Sequence, residues 1–166
     1  MTTVRQPGIY DLSVLGKQCI DMTDAQALAI VVEAFRDAAR PEHFTDYTHC
    51  DECAEHDATL RGHSPESIGI KELGNPGWDP VCFLTDEGFH YYLPGLARLA
   101  LATGREYYLY QFLFHLNCSR RLRTLTKRQK AAISSFLRHL RETRRAEIKR
   151  NLDLERLDVV VELLAS

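Results

Sequence analysis

The densest chemistry in the chain lies between Phe44 and His56, which reads Phe-Thr-Asp-Tyr-Thr-His-Cys-Asp-Glu-Cys-Ala-Glu-His. Four of the seven histidines (His43, His49, His56, His63) and two of the five cysteines (Cys50, Cys53) fall within 21 residues. Zinc favours thiolate and imidazole ligands, and a Cys-x-x-Cys pair can chelate one ion. The candidate ligands are therefore Cys50, Cys53, His49 and His56, and zinc is the cofactor their types suggest. Geometry limits the set. On one helix Cys50 and Cys53, or Cys53 and His56, can converge, but His49 and His56 stand about 10 Å apart along the axis. A full set of four would need a recruit such as His43, His63, Cys82 or Cys118.

The same pair fits a redox dithiol, because a helix N-terminus stabilises a thiolate. Asp51, Glu52 and Glu55 oppose that ionisation, and no βαβ unit precedes the pair. The plainest alternative makes both cysteines small buried apolar side chains and puts the histidines on a polar face. No Gly-x-Ser-x-Gly elbow, His-Glu-x-x-His pair, phosphate loop or dinucleotide fingerprint occurs, so no catalytic residue is nominated and an enzyme is disfavoured.

A second feature is charge. Residues 120–150 hold twelve bases against two acids, a formal +10, while the rest of the chain has nine bases against twenty-one acids, −12. Such polarity speaks to partners rather than fold. The leading expectation is a non-enzymatic protein-interaction module that uses this Arg-rich segment. Arg138, Arg141, Arg144 and Arg145 would meet an acidic protein surface or a second copy of the chain. A zinc protein or enzyme built on Cys50 and Cys53 is the alternative. Nucleic acid is a third partner class, opposed by the acidic remainder.

The elements that must position these groups read as helices. The chain has 166 residues and is 45% hydrophobic, enough for one domain spanning 1–166. Residues 1–20 read as an N-terminal arm. Thr23 caps a helix that carries Leu28, Val31, Val32 and Phe35 and ends before Pro41. Thr48 is placed to cap a helix from His49 to Arg61. Residues 62–80, with four glycines and three prolines, form a long irregular connection anchored by Trp78.

Thr85 opens a helix that Pro94 should kink or divide. Glu106–Leu116 then fits a helix buried on most sides. Thr126 and Gln129 make a capping box for a helix running to about Arg150, and Asp153 caps a last one. The expectation is a mainly α fold of about five or six helices. Ten of the fifteen aromatics lie between Trp78 and Phe114, so the core is centred there.

Tyr107–Cys118, the strongest uncharged apolar run, is too short to cross a bilayer, so no membrane partner is expected. The opening residues Met1–Pro7 show no export signal. Together with an odd cysteine count, that points to reduced thiols in the cytoplasm.

His49-Cys50-Asp51-Glu52-Cys53, then Cys82-Phe83-Leu84-Thr85, then Tyr91-Tyr92-Leu93-Pro94, resemble an uncharacterised bacterial family, a domain of unknown function. Its members carry a Cys-x-Glu-Cys segment, a Leu-Thr helix start and a Tyr-Tyr-Leu-Pro run. The resemblance covers about residues 45–140 and includes the Thr126 helix start. It implies one domain and a bacterial, cytoplasmic setting, and it transfers no activity, cofactor or site residue.

Overall fold

The computed structural model describes residues 22–165; the expected arm at 1–20 lies outside them. Nine α-helices and no strand occur among the described residues, which makes the fold mainly α with more helices than expected. They are α1 (Asp24–Ala34), α2 (Asp51–Arg61), α3 (Ile70–Leu73), α4 (Asp86–Ala100), α5 (Leu109–Leu116), α6 (Ser119–Thr124), α7 (Lys127–Thr143), α8 (Arg145–Arg150) and α9 (Leu154–Ala165). The extra helices are short ones, at 70–73, 119–124 and 145–150.

Helix α7 is the spine. Its buried stripe of Ala132, Ile133, Phe136, Leu137 and Leu140 packs between α1 and α9. Phe136 meets Phe112 of α5 edge-to-face, with ring centroids 6.0 Å apart. Thr23 and Thr126 cap their helices as expected, and both form capping boxes, the one with Gln26 not foreseen: Thr23 accepts from the Gln26 N–H, and Thr126 from the Gln129 N–H. Such caps satisfy amides that would otherwise lack partners in the first turn.

Several boundaries differ for local reasons. Pro94 does not divide α4, which runs unbroken through it. Helix α5 is only eight residues long, shorter than expected, but six of its residues are buried and only Tyr110 and Phe114 are about half exposed, so it is buried on most sides. The basic helix breaks at Arg144, whose φ of −126° leaves the helical region as its guanidinium reaches Asp24. Leu152 then takes φ 61°, and the Asp153 N–H donates to the Ile148 carbonyl, a left-handed closure that starts α9.

The 62–80 connection is pinned from α4 rather than by Trp78, which is 44% exposed. Ile68 and Leu73 are its buried anchors. Arg98 donates to the carbonyls of Pro65 and Ile68, and the Tyr92 hydroxyl donates to those of Leu60 and His63. A Cβ on Gly95 would lie 2.5 Å from the Pro65 carbonyl oxygen, so only glycine lets this backbone approach. The result fixes the C-terminal end of α2, while the loop before α2 carries the candidate site.

Candidate metal centre

Helix α2 starts two residues later than its capping pattern suggests, at Asp51 rather than His49. Thr48 does not cap it; its hydroxyl bonds Asp46 in a turn closed by the His49 N–H donating to the Asp46 carbonyl. Cys50 is the N-cap instead, extended at φ −163°, and its sulfur accepts the Cys53 N–H at 3.5 Å. His49 and Cys50 thus lie outside the helix body and are free of the axial spacing that a single helix imposes. This is why they can fold back over Cys53.

A buried carboxylate holds that loop in place. Asp57, on α2, accepts from the Phe44 N–H at 2.6 Å, from the Thr45 N–H at 3.3 Å and from His43 Nδ1 at 2.8 Å. Burial works to raise the Asp57 carboxyl, but these hydrogen bonds outweigh it and hold it below the usual range. The Thr45 hydroxyl donates to the Cys53 carbonyl, and the Thr85 N–H donates to that of Phe44. Both ends of the site loop are therefore tied to α2, and one end also to the start of α4.

His49, Cys50 and Cys53 each offer a ligand atom, all within 4.8 Å of one another. The two Sγ atoms are 3.3 Å apart, and Cys53 Sγ lies 3.8 Å from His49 Nδ1. On a tetrahedral zinc, sulfurs about 2.3 Å from the metal are about 3.8 Å apart. The three atoms are thus spaced close to one face of such a tetrahedron. Cys50 and His49 are exposed, while Cys53 is 6% exposed.

Of the three groups, only Cys50 is shifted towards the ligating form. The Cys53 N–H and then His49 lower the Cys50 thiol, favouring the thiolate that a metal needs. Cys53 moves up, through its hydrogen bond to Cys50 and then burial. His49 also moves up, through its bond to Cys50.

His56 does not join them. Its ring is buried between Trp78 and Phe83, with centroids 4.7 Å from each, and Glu52 Oε1 lies 3.5 Å from its Nε2. Neither ring nitrogen has a hydrogen-bond partner among the described residues. The aromatic sandwich, which lies outside the Cys-x-x-Cys pattern, claims this residue. None of the recruits completes the set either. His43 is turned to Asp57 and stacked on Tyr47, Cys82 belongs to a different cluster, and Cys118 begins α6. Three candidate ligands converge, and no fourth joins them among the described residues.

The four arginines nominated for a partner divide. Arg144 binds Asp24 and Arg141 binds Asp158 at 3.2 Å, both within the chain. Arg138 folds back on Ser134. Arg145 is exposed and makes no ion pair among the described residues. Arg120, Arg128 and Arg150 also pair with carboxylates, and Arg121 is buried. Seven of the twelve bases are therefore engaged internally.

Sequence reasoning missed a second cluster, Asp79, Cys82 and His115, which also lies within 4.8 Å. Asp79 Oδ2 accepts from His115 Nε2 at 2.8 Å and from Gln111 at 3.1 Å, while Oδ1 accepts the Val81 N–H. Arg121 reaches His115 Nδ1 and the Val81 carbonyl, stacked 4.5 Å over Phe89. The only signal in the sequence was a polar Gln111 and His115 at i, i+4 in an otherwise apolar run.

No helix among the described residues is long and apolar enough to cross a membrane. Searches of protein-family models, curated proteins and solved structures return no match to this chain.

Proposed function

We propose that the protein binds a soft divalent cation, zinc by ligand type, through His49, Cys50 and Cys53, with one coordination position left for water or an outside ligand. The observation that carries this reading is the convergence of one imidazole nitrogen and two thiol sulfurs at near-tetrahedral spacing. Two further features support it. The Cys53 N–H already donates to a ligating sulfur, the outer hydrogen bond that metal thiolates commonly receive. The Asp57 network fixes the loop before metal arrives, so little ordering is left to binding.

Two thiolates and a neutral imidazole balance the charge of a divalent ion, and an open fourth position is the arrangement of catalytic rather than closed structural zinc. A partner-binding role for the basic helices has less support, because Arg141 and Arg144 are occupied within the chain.

The test is titration of reduced, chelator-treated protein with zinc and cobalt. One equivalent should bind, and cobalt should give thiolate charge-transfer and tetrahedral ligand-field bands. Cys50→Ser and Cys53→Ser should each abolish these bands, while His56→Ala should leave them in place. Binding below half an equivalent with no charge-transfer band would overturn the reading.

A further inference from the structure

The two cysteines differ in one respect that metal binding does not use. Cys50 is exposed at the N-cap of an eleven-residue helix, while Cys53 lies behind it, 6% exposed, with the sulfurs 3.3 Å apart. An outside disulfide can meet Cys50 but not Cys53, and Cys53 can reach Cys50 without moving its backbone. Residues three apart at a helix start have Cα atoms about 5 Å apart, inside the range a disulfide spans.

We propose that the metal-free pair is a thiol–disulfide exchange centre that reacts with small disulfides at Cys50 and closes to a Cys50–Cys53 disulfide. This goes beyond metal binding but uses the same sulfurs. In the first step the Cys50 thiolate attacks one sulfur of R–S–S–R. The R–S–S–R bond breaks, a Cys50–S–S–R bond forms, and RS⁻ leaves. In the second, Cys53 loses its proton to that thiolate, and its sulfur attacks Cys50 Sγ. A second RS⁻ leaves and takes a proton from water, so two protein thiols are oxidised and one small disulfide becomes two thiols.

The oxidant's charge is also set by the site. Asp51 and Glu52 lie in the first turn beside Cys50 and Asp46 acts with Glu52 on Cys53, three carboxylates against the single imidazole of His49 at Cys50. An anionic disulfide approaching Cys50 is repelled and a cationic one is drawn in. The favoured class is therefore a cationic or neutral disulfide. Because the oxidised pair offers no thiolates, exchange would also release a bound metal, which makes the two activities mutually exclusive.

The experiment treats reduced, metal-free full-length protein with cystamine or with oxidised glutathione, quenches with an alkylating agent, and maps the cysteines by mass. Cystamine should produce a Cys50–Cys53 linkage without an accumulating adduct. Its rate should exceed that of glutathione disulfide by about tenfold at low salt, with the gap closing at high salt. In Cys53→Ser the reaction should stop at one cysteamine adduct on Cys50, and in Cys50→Ser the thiol of Cys53 should stay free.

A lasting adduct on Cys50 in the unsubstituted chain, or equal reaction at Cys53, would overturn the exchange proposal. Equal rates for the two disulfides would overturn its charge selectivity. Zinc titration of the same samples separates the two readings. Zinc bound to the reduced chain without any linkage forming on oxidation removes exchange and keeps the metal; linkage without zinc binding does the reverse.

Discussion

The chain holds two clusters of metal-type side chains, His49–Cys50–Cys53 and Asp79–Cys82–His115, each with its ligand atoms within 4.8 Å. In residue type and spacing they are alike. They differ in whether their polar atoms are already in use. In the second cluster both Asp79 oxygens, both His115 nitrogens and the Arg121 guanidinium have hydrogen-bond partners, and Asp79, His115 and Arg121 are buried while Cys82 is exposed. A cation entering there would break those bonds and face a fixed guanidinium. In the first, the sulfurs and the His49 nitrogen have only one another and one backbone N–H, and two of the three residues are exposed. Proximity nominates ligands; unspent lone pairs decide among the nominees.

The largest way to break this comparison is Asp79→Ala. It leaves the Val81 N–H and His115 without their acceptor, Gln111 with the Leu73 carbonyl alone, and Arg121 without the nearby negative charge, all in the interior. Removing one member of a buried charged network costs about 3–5 kcal/mol. Urea unfolding should show a loss of about 3 kcal/mol or more, while the folded fraction still binds one zinc. A loss under about 1 kcal/mol would mean that this cluster is not the structural one.

Asp57→Asn should act on both properties at once. The amide keeps the shape but exchanges one accepting oxygen for a donor that faces His43 or the two backbone N–H groups. A cost of about 1–3 kcal/mol follows for the disturbed buried bonds. Zinc affinity should also fall, because the loop carrying His49 and Cys50 loses its tether to α2. An affinity unchanged alongside lowered stability would show that the three ligands do not depend on this carboxylate.

What the sequence made legible follows the same division. Helices with a strong apolar period and a Thr cap were readable, α1 and α7 foremost, because propensity, capping and burial agree there. Helix breaks were not: Arg144 leaves the helix as it reaches a distant partner, Asp24, and Leu152 turns left-handed in a local closure in which the Asp153 N–H meets the Ile148 carbonyl. Three of the four nominated ligands converge because Cys-x-x-Cys spacing carries its own geometry. His56 was assigned by helical neighbourhood alone, and the rings of Trp78 and Phe83, 22 and 27 residues away, hold it elsewhere. The Asp79 network joins residues from four segments, so no local pattern could announce it.

Acid separates the regions less sharply. Asp24 and Asp57 both titrate below the usual carboxylate range: burial works upward on each, but at Asp24 the bonds from His139 and Arg144 outweigh it, as those from His43 and the backbone do at Asp57. A carboxyl lowered by folding adds stability that is complete above its unfolded value, about 3.9, and is lost as pH falls through the folded value. The contribution of these two carboxyls to the unfolding free energy should therefore be flat from pH 7 to about 5 and fall below about 4. Asp24→Asn should remove part of that fall. An acid limb identical in this variant would show that the His139–Asp24–Arg144 contact contributes nothing to it.

The smallest expected effect is the most discriminating. In metal-free, reduced protein, Cys50→Ser should change stability by no more than about 0.5 kcal/mol. Cys50 is exposed, and a serine hydroxyl is a better N-cap acceptor for the Cys53 N–H than a sulfur is. With zinc present the outcome inverts. A ligand that binds only the folded chain adds RT ln(1 + [L]/Kd), about 2.7 kcal/mol at one hundred times Kd, and the serine variant should receive almost none of it. Cys82→Ser, in the cluster whose Asp79 and His115 are already hydrogen-bonded to each other and to their neighbours, should keep the whole zinc increment. If Cys50→Ser instead destabilises the metal-free chain and zinc stabilises both variants alike, the first cluster is the structural one and the distinction between the two regions fails.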